Sequence, residues 1–473
     1  MERSVFERSA PDPRVIAAAL APSILKPFWL DDVTAPSRPT FRGTAGYDLL
    51  VVGSGYTGLW TALMARQRDR SRSVTVLEAR TVGWAASGRN GGFCEATLTH
   101  GETNGEQRFP AELEQLDRLG RANLDEIEAT VGELGLDCDF ERTGSLAVAV
   151  EPYQLPELRD ADNGDGLQFF DQKEMQAEVA SPTYLGGLWS RHDTAMVHPG
   201  KLAMELARAC EDAGVTIFEH SPVSGLESAR GTGRVVVRTP AGEIAANRVA
   251  LATNVFPSLL KRFRLHTIPV YDYVLMTEPL SGQQLASIGW KNRQGIADPA
   301  NQFHYYRLSR DNRILWGGYD AIYHYGGRIK PEYDDRSASF QKLASHFFTT
   351  FPQLDTLTFT HRWAGVIDTC SRFTTFFGRA RQGRVAYAAG FTGLGVAATR
   401  FAANVMLDQL SGAETERTSL KMVRTQPIPF PPEPAAWMGV QVSRWALNRA
   451  DHNQGKRNIV LRTLDAAGLG FDS

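Results

Sequence analysis

Cysteine is scarce in this chain: four residues in 473, Cys94, Cys138, Cys210 and Cys370, with no CxxC pair and no metal-ligand spacing. That excludes a disulfide framework and a zinc module, and implies the reduced thiols of a cytoplasmic protein. Long hydrophobic runs are missing too, so no segment is expected to span a bilayer. Residues 16–20 are apolar, but this short run follows Glu2, Glu7, Asp12 and two prolines, which argues against a signal peptide. Neither sign of charge is in excess. The formal net charge is −2 with no basic tract, which gives no electrostatic footprint for nucleic acid. Repeats and low-complexity tracts are absent. No metal is expected: Asp137 and Asp139 have no further ligands nearby and read as solvated turn acids. His198 stands before Pro199-Gly200 at an expected helix start, where a capping role suits it.

What is present is concentrated in residues 47–93, which read YDLLVVGSGYTGLWTALMARQ, then VTVLEAR, then TVGWAASGRNGGF. Residues 48–52 form an apolar, β-branched run, as in a strand buried on both faces. Gly53, Gly55 and Gly58 follow at the GxGxxG spacing. In that spacing the first glycine permits a tight turn, the second lets amides approach a pyrophosphate, and the third lets the helix pack closely. The helix then turns Leu59, Ala62, Leu63 and Ala65 toward the sheet and its positive end toward phosphate. Residues 74–77 give a second strand, with Glu78 at its end to accept hydrogen bonds from ribose hydroxyls. The turn therefore predicts a bound dinucleotide. An acid rather than a base at 78 argues against NADP, and leaves NAD and FAD open.

Along the rest of the chain, residues 111–136 and 201–213 have helical periodicity, and residues 138–150, 215–218, 235–238 and 249–253 read as strands. Residues 302–309 and 313–320 make a hairpin about Asp311-Asn312. Alternation puts Tyr305 and Arg307 on one of its faces. In residues 269–277, Tyr271, Tyr273, Leu275 and Thr277 share a face, which is read as an aromatic wall for an organic ligand. A late strand over 385–389 runs into Gly390, Gly393 and Gly395 and then a helix, a second glycine turn whose helix end can stabilise negative charge. The parallel pattern resumes far from where it began. The expected fold is thus α/β in two domains: a Rossmann-like dinucleotide-binding domain interleaved with an antiparallel-sheet substrate domain. The boundaries are a 1–46 arm, a discontinuous nucleotide domain (47–100, 195–262, 365–424), a substrate domain (101–194, 263–364) and a C-terminal extension over 425–473, expected to pack on the body.

These motifs resemble the D-amino-acid-oxidase-like FAD-dependent oxidoreductases, and within them the γ-glutamylputrescine oxidoreductase branch. The resemblance runs from about residue 29 to about 418. It is carried by GSGYTGL with Glu78, GWAASGRNGGF, HPGKLA at 198–203, YYRLSRDNRILWGG and GFTGLGVAATR. It implies FAD held by Gly53, Gly55, Tyr56, Thr57, Gly58, Glu78, Ala79 and Arg80, by Ser87, Arg89, Asn90 and Gly91 at the pyrophosphate and ring, and by Val223 and Thr253. Gly390, Thr392, Gly393, Leu394, Gly395 and Val396 complete the set at the flavin pyrimidine edge. Leu394 stands where many relatives have histidine. The surroundings of Cys370 do not match relatives that tether flavin there, so non-covalent FAD is expected. Ile314, Leu315 and Trp316 occupy a stretch where certain oxidases carry a lysine that promotes reaction with oxygen.

The chemistry implied is hydride transfer from the carbon beside a neutral amine to the flavin, followed by hydrolysis of the imine. The protein's part is positioning and desolvation, so no strong catalytic base is expected. Tyr271, Tyr273, Tyr305, Arg307 and Trp363 are the candidate substrate contacts, with Arg307 able to clamp a carboxylate. The expected substrate is a small amine, with oxygen or a carrier as acceptor and the oligomeric state open. Two alternatives stand beside it: a hydroxy-acid dehydrogenase of the same fold, and a flavin domain serving RNA modification.

Overall fold

A computed structural model describes residues 3–164, 166–229 and 233–466; the ends of the expected arm and C-terminal extension, 1–2 and 467–473, lie outside the described residues. The apolar run before the first glycine turn forms the end of the Gly43–Val52 strand. It pairs in parallel with Val74–Leu77 on one side and Gly242–Leu251 on the other. Thr216–Phe218 extends the sheet in parallel beyond Val74–Leu77, and Val385–Ala389 adds in parallel to Gly242–Leu251. An antiparallel flap of Gly225–Ser228 and Val235–Thr239 completes one edge. Helices Tyr56–Arg68, Pro199–Asp212 and Gly395–Ser411 bury Leu59, Leu63, Leu202, Leu206, Phe401 and Val405 in one core with Leu49 and Val51 of the sheet.

The second sheet has nine strands and is mainly antiparallel. Its spine is the pairing of Thr267–Thr277 with Phe359–Cys370, flanked by the hairpin His304–Leu308 and Ile314–Gly318. Two of its pairings are parallel: Ile24–Leu25 with Phe359–Cys370, and Gly295–Ala297 with Ser145–Ala149. Helix Ser337–Thr350 covers one face, and its Phe340 and Phe347, with Phe351 at its C-cap, are buried against Tyr273, Tyr306 and Trp316. The strand expected over 138–150 is confined to Ser145–Ala149. Gly144, at φ +75°, breaks the run, and Glu141 makes an isolated bridge to Met196.

The C-terminal segment forms a helical hairpin of Ala435–Asp451 and Ile459–Ala466, with a small core of Ala446, Ala450 and Leu461. Polar contacts fasten it to the body. Glu433 accepts from the Tyr323 hydroxyl and the Gly326 amide, and Asp451 accepts from the amides of Asn301 and Gln302. Among the described residues no helix is long and apolar enough to cross a membrane.

The first turn is closed by contact rather than by side chains. A Cβ on Gly58 would lie 1.9 Å from the Gly53 carbonyl oxygen, and one on Gly53 would lie 2.4 Å from the Ala252 oxygen. Gly58→Ala is accordingly expected to destabilise the protein by about 1–3 kcal/mol through forced displacement of packed backbone, read as a lower midpoint in urea unfolding; an unchanged midpoint would show that the turn gives way freely.

Candidate active site

A cavity of about 1550 Å³ runs from the first glycine turn to the second sheet. That exceeds the ~300–1,000 Å³ of a pocket for one drug-sized ligand and leaves room for a dinucleotide with a second molecule. At one end it is lined by Gly53, Gly55, Tyr56, Thr57, Glu78, Ala79, Val223 and Thr253. Along the middle lie Ser87, Arg89, Asn90 and Gly91, with Thr392, Gly393, Leu394, Gly395 and Val396 at a second helix N-terminus. Of the residues expected at the cofactor, three stand off this wall: Gly58, packed on the Gly53 carbonyl, Arg80 and Gly390. Arg80 lies over the Trp84 ring at 4.4 Å, and Gly390 sits behind, its amide donating to the Asp368 carboxylate at 2.6 Å.

Glu78 is placed at the end of its strand as the sequence predicts, but its carboxylate is already occupied. One oxygen accepts from the Ser54 amide and hydroxyl at 2.8 and 2.9 Å, the other from the Arg80 amide at 2.8 Å and the Trp84 indole at 2.9 Å. Four donors fill the roughly four acceptor sites of a carboxylate. The acid therefore ties the first glycine turn to the start of the 83–93 loop, a job the spacing did not reveal. Ser87 Oγ adds a second tie by accepting from the Tyr56 amide at 2.9 Å.

The far side of that loop is held by three buried side chains, two of which, Trp363 and Arg307, sequence reasoning assigned to the substrate. Trp363, expected to wall the substrate pocket, is buried behind the loop and donates its indole N–H to the Arg89 carbonyl at 2.8 Å. Trp29 of the N-terminal arm does the same for the Asn90 carbonyl at 2.9 Å. Arg307 is not a carboxylate clamp. Its guanidinium is buried and donates to the carbonyls of Val197 at 2.6 Å and Gly92 at 3.3 Å, and desolvation pushes its pKa down to about 10. Arg89 itself is matched by Asp334 at 2.9 Å. His198 caps the Pro199–Asp212 helix by accepting from the Lys201 amide, and Asp139 pairs with Lys201 and Arg310.

Tyr271 and Tyr273 do share a face, but it is the core face under helix Ser337–Thr350. Their hydroxyls engage the Lys330 amide and the Tyr333 carbonyl. The alternate residues Ile268, Val270 and Asp272 face the cavity instead. Tyr305 does line it, its ring packed on Gly91 and edge-on to Phe93. Its hydroxyl donates a short hydrogen bond to Asp272. Burial pushes Asp272 up to about 6 even though that hydrogen bond lowers it.

Three further wall groups escaped sequence reasoning. Glu95, two residues past Phe93 on the Phe93–Glu95 strand, faces the cavity, and burial pushes its carboxyl up to about 7. His100 lies near Gly393, its imidazole held below the usual range by burial. Asp298 accepts from His304 Nδ1 at 2.8 Å, and His304 Nε2 meets His346 Nδ1 at 2.8 Å in a buried chain. Period-two alternation on short strands was the available signal for Asp272 and Glu95.

The family model described as FAD dependent oxidoreductase matches residues 48–409. The chain is 32% identical to the γ-glutamylputrescine oxidoreductase of Escherichia coli over 381 residues, 77% of this chain and 84% of that protein. It is 30% identical to the probable oxidoreductase OrdL of Haemophilus influenzae over 393 residues, 79% and 84% of the two chains. In fold it is similar to glycine oxidase from Geobacillus kaustophilus (TM-score 0.66, 19% identity, 80% of this chain and 99% of that one). L-proline dehydrogenase from P. horikoshii gives 0.65 at 18% identity, over 80% and 96%.

The residues present fit FAD. Gly55 and Gly91 lie on the wall where a Cβ would come within 2.9 Å of Ser87 Oγ and 2.7 Å of the Tyr305 ring, so the wall stays open only to backbone there. Glu78→Ala leaves four donors without their acceptor and is expected to release FAD that the wild type retains through gel filtration. Equal retention would show that these bonds do not set the wall.

Proposed function

The chain belongs to the FAD-dependent oxidoreductase family, and on that premise we propose that it oxidises the C–N bond of a small amine resembling γ-glutamylputrescine. It is an FAD-dependent enzyme of the amine and amino-acid oxidoreductase type. The observation that carries the finer reading is the charge of the wall around Tyr305. Asp272, Glu95 and Asp298 face the cavity there, while the arginine best placed by sequence to clamp a carboxylate is spent on main-chain carbonyls. Such a wall favours an ammonium over the carboxylate of an α-amino acid.

We assign the pyrophosphate to the helix end at Gly55, Tyr56 and Thr57, and the ribose and adenine side to Ala79, Val223 and Thr253, with the filled carboxylate of Glu78 holding that wall in place instead of binding the ribose. Ser87, Arg89, Asn90 and Gly91 take the ring, and Thr392 to Val396 its pyrimidine edge. Cys370 supports non-covalent binding: its thiol lies behind the wall, 3.2 Å from the Thr374 carbonyl. All four cysteines are buried and unpaired, which suits a cytoplasmic enzyme. Bound FAD supplies a two-electron acceptor for the hydride of the carbon beside nitrogen. The chain's own contribution is to fix the 83–93 loop, to exclude water with Phe93 and Tyr305, and to receive the amine on acidic residues. Anaerobic addition of γ-glutamylputrescine is expected to bleach the yellow enzyme, and glycine or a 2-hydroxy acid to do so far more slowly. Bleaching by the hydroxy acid alone would overturn the amine reading.

A further inference from the structure

We propose that Asp272, held by the Tyr305 hydroxyl, is the proton acceptor for the substrate's ammonium group. This rests on the amine-oxidation reading and adds a catalytic residue to it. An alkylammonium has no lone pair, so it cannot release a hydride from the neighbouring carbon until one proton leaves. In the step, an N–H bond breaks, its electron pair stays on nitrogen, and an O–H bond forms on Asp272: R–CH2–NH3+ and the carboxylate become R–CH2–NH2 and the carboxylic acid. No electrons change hands.

The geometry supports the assignment from three sides. Asp272 faces the cavity on the Thr267–Thr277 strand, between two tyrosines that face the core. Its cross-strand neighbour on Phe359–Cys370 is Gly365, which leaves the approach open. Tyr305 rests on Gly91, so the Asp272–Tyr305 pair borders the loop assigned to the cofactor ring. A Cβ on Gly317 would come within 2.6 Å of the Tyr305 ring, so glycine is required on the hairpin strand as well.

Several charged groups line the cavity with Asp272, among them Arg444 of the Ala435–Asp451 helix, whose guanidinium donates to Gln441. On the hairpin, Tyr305 donates to it and Gly318 presents a backbone amide. Beyond Gly318, Asp320 raises its pKa and is itself matched by Arg336 and Lys342. On the loop, Arg89 is matched by Asp334. Glu95 lines the same cavity from the Phe93–Glu95 strand. Asp272 accepts a proton only when ionised, so activity is present above its pKa and is lost as pH falls through about 6. Tyr305 lowers that pKa, so Tyr305→Phe moves the acid limb to higher pH.

With γ-glutamylputrescine as substrate, Asp272→Asn is expected to lower kcat/KM about 100-fold at neutral pH, at the low end for general-base removal. The loss should shrink about tenfold per pH unit as free amine replaces ammonium. A second readout needs no turnover: tert-butylamine has no α-hydrogen, and its binding is followed by the change in the flavin spectrum. Wild-type affinity should fall below about pH 6. The variant should bind at least tenfold more weakly, with no inflection there. A wild type that amines do not reduce would sink the amine reading and this assignment with it. If amines reduce the wild type but Asp272→Asn matches it in rate and in tert-butylamine binding, the assignment alone is overturned. It is equally overturned if the acid limb survives Asp272→Asn and vanishes in Glu95→Gln.

Discussion

The 83–93 loop has to present its backbone to a cavity while keeping its own polar groups satisfied, and the rest of the site depends on how that is met. Carbonyls buried without partners cost about 1–3 kcal/mol each. Here three of its carbonyls find donors from distant parts of the chain: Arg89 from Trp363, Asn90 from Trp29, Gly92 from Arg307. Glu78 gathers the near side onto the first glycine turn. The two large sheets and the N-terminal arm meet at this loop, so the cavity wall is a product of all three. The arm is thereby part of the site. Phe28 and Trp29 pack with Trp363, Val274 and Leu315 in a small core directly beneath it.

Much of this architecture was legible because glycine turns leave little freedom. Gly53, Gly55 and Gly58 at that spacing, preceded by an apolar strand and followed by an acid, specify one local geometry, and the structure shows the strands and helix they require. The second sheet was harder to read. Alternation in residues 269–277 correctly grouped Tyr271 with Tyr273, yet period two says which side chains share a face, not which face meets the ligand. Aromatic rings suggested the ligand side; packing against helix Ser337–Thr350 claimed them instead, and the lone acid between them faced the cavity. Arg307 illustrates a second limit. A buried arginine is rare enough to be read as functional, but nothing local discloses that its partners are carbonyls more than a hundred positions away. Gly144 escaped notice as a breaker, which lengthened the strand expected before it.

The electrostatics of the cavity are set by burial more than by ion pairing. Asp272, Glu95 and Asp368 are all pushed upward by desolvation, to about 6, 7 and 7. Two of the basic groups nearby are matched or turned away: Arg89 to Asp334, Arg307 to the main chain. Acids poised near neutrality on this wall are in keeping with the proposed amine substrate, which would arrive as an ammonium. The C-terminal hairpin contributes Ala436, Arg444 and Leu447 to the same cavity, so a segment beyond the two glycine turns shapes access to it.

FAD held in this cavity would supply the acceptor for a hydride from a carbon beside an amine nitrogen, and on that proposal the whole account of the site turns. The most direct measurement is the anaerobic rate of flavin bleaching by an amine carrying deuterium on that carbon, set against the undeuterated amine. The account predicts distinctly slower bleaching for the deuterated compound at saturating concentration, because the C–H bond breaks in the step observed. Equal rates for the two compounds, or a flavin that no amine bleaches, would contradict it.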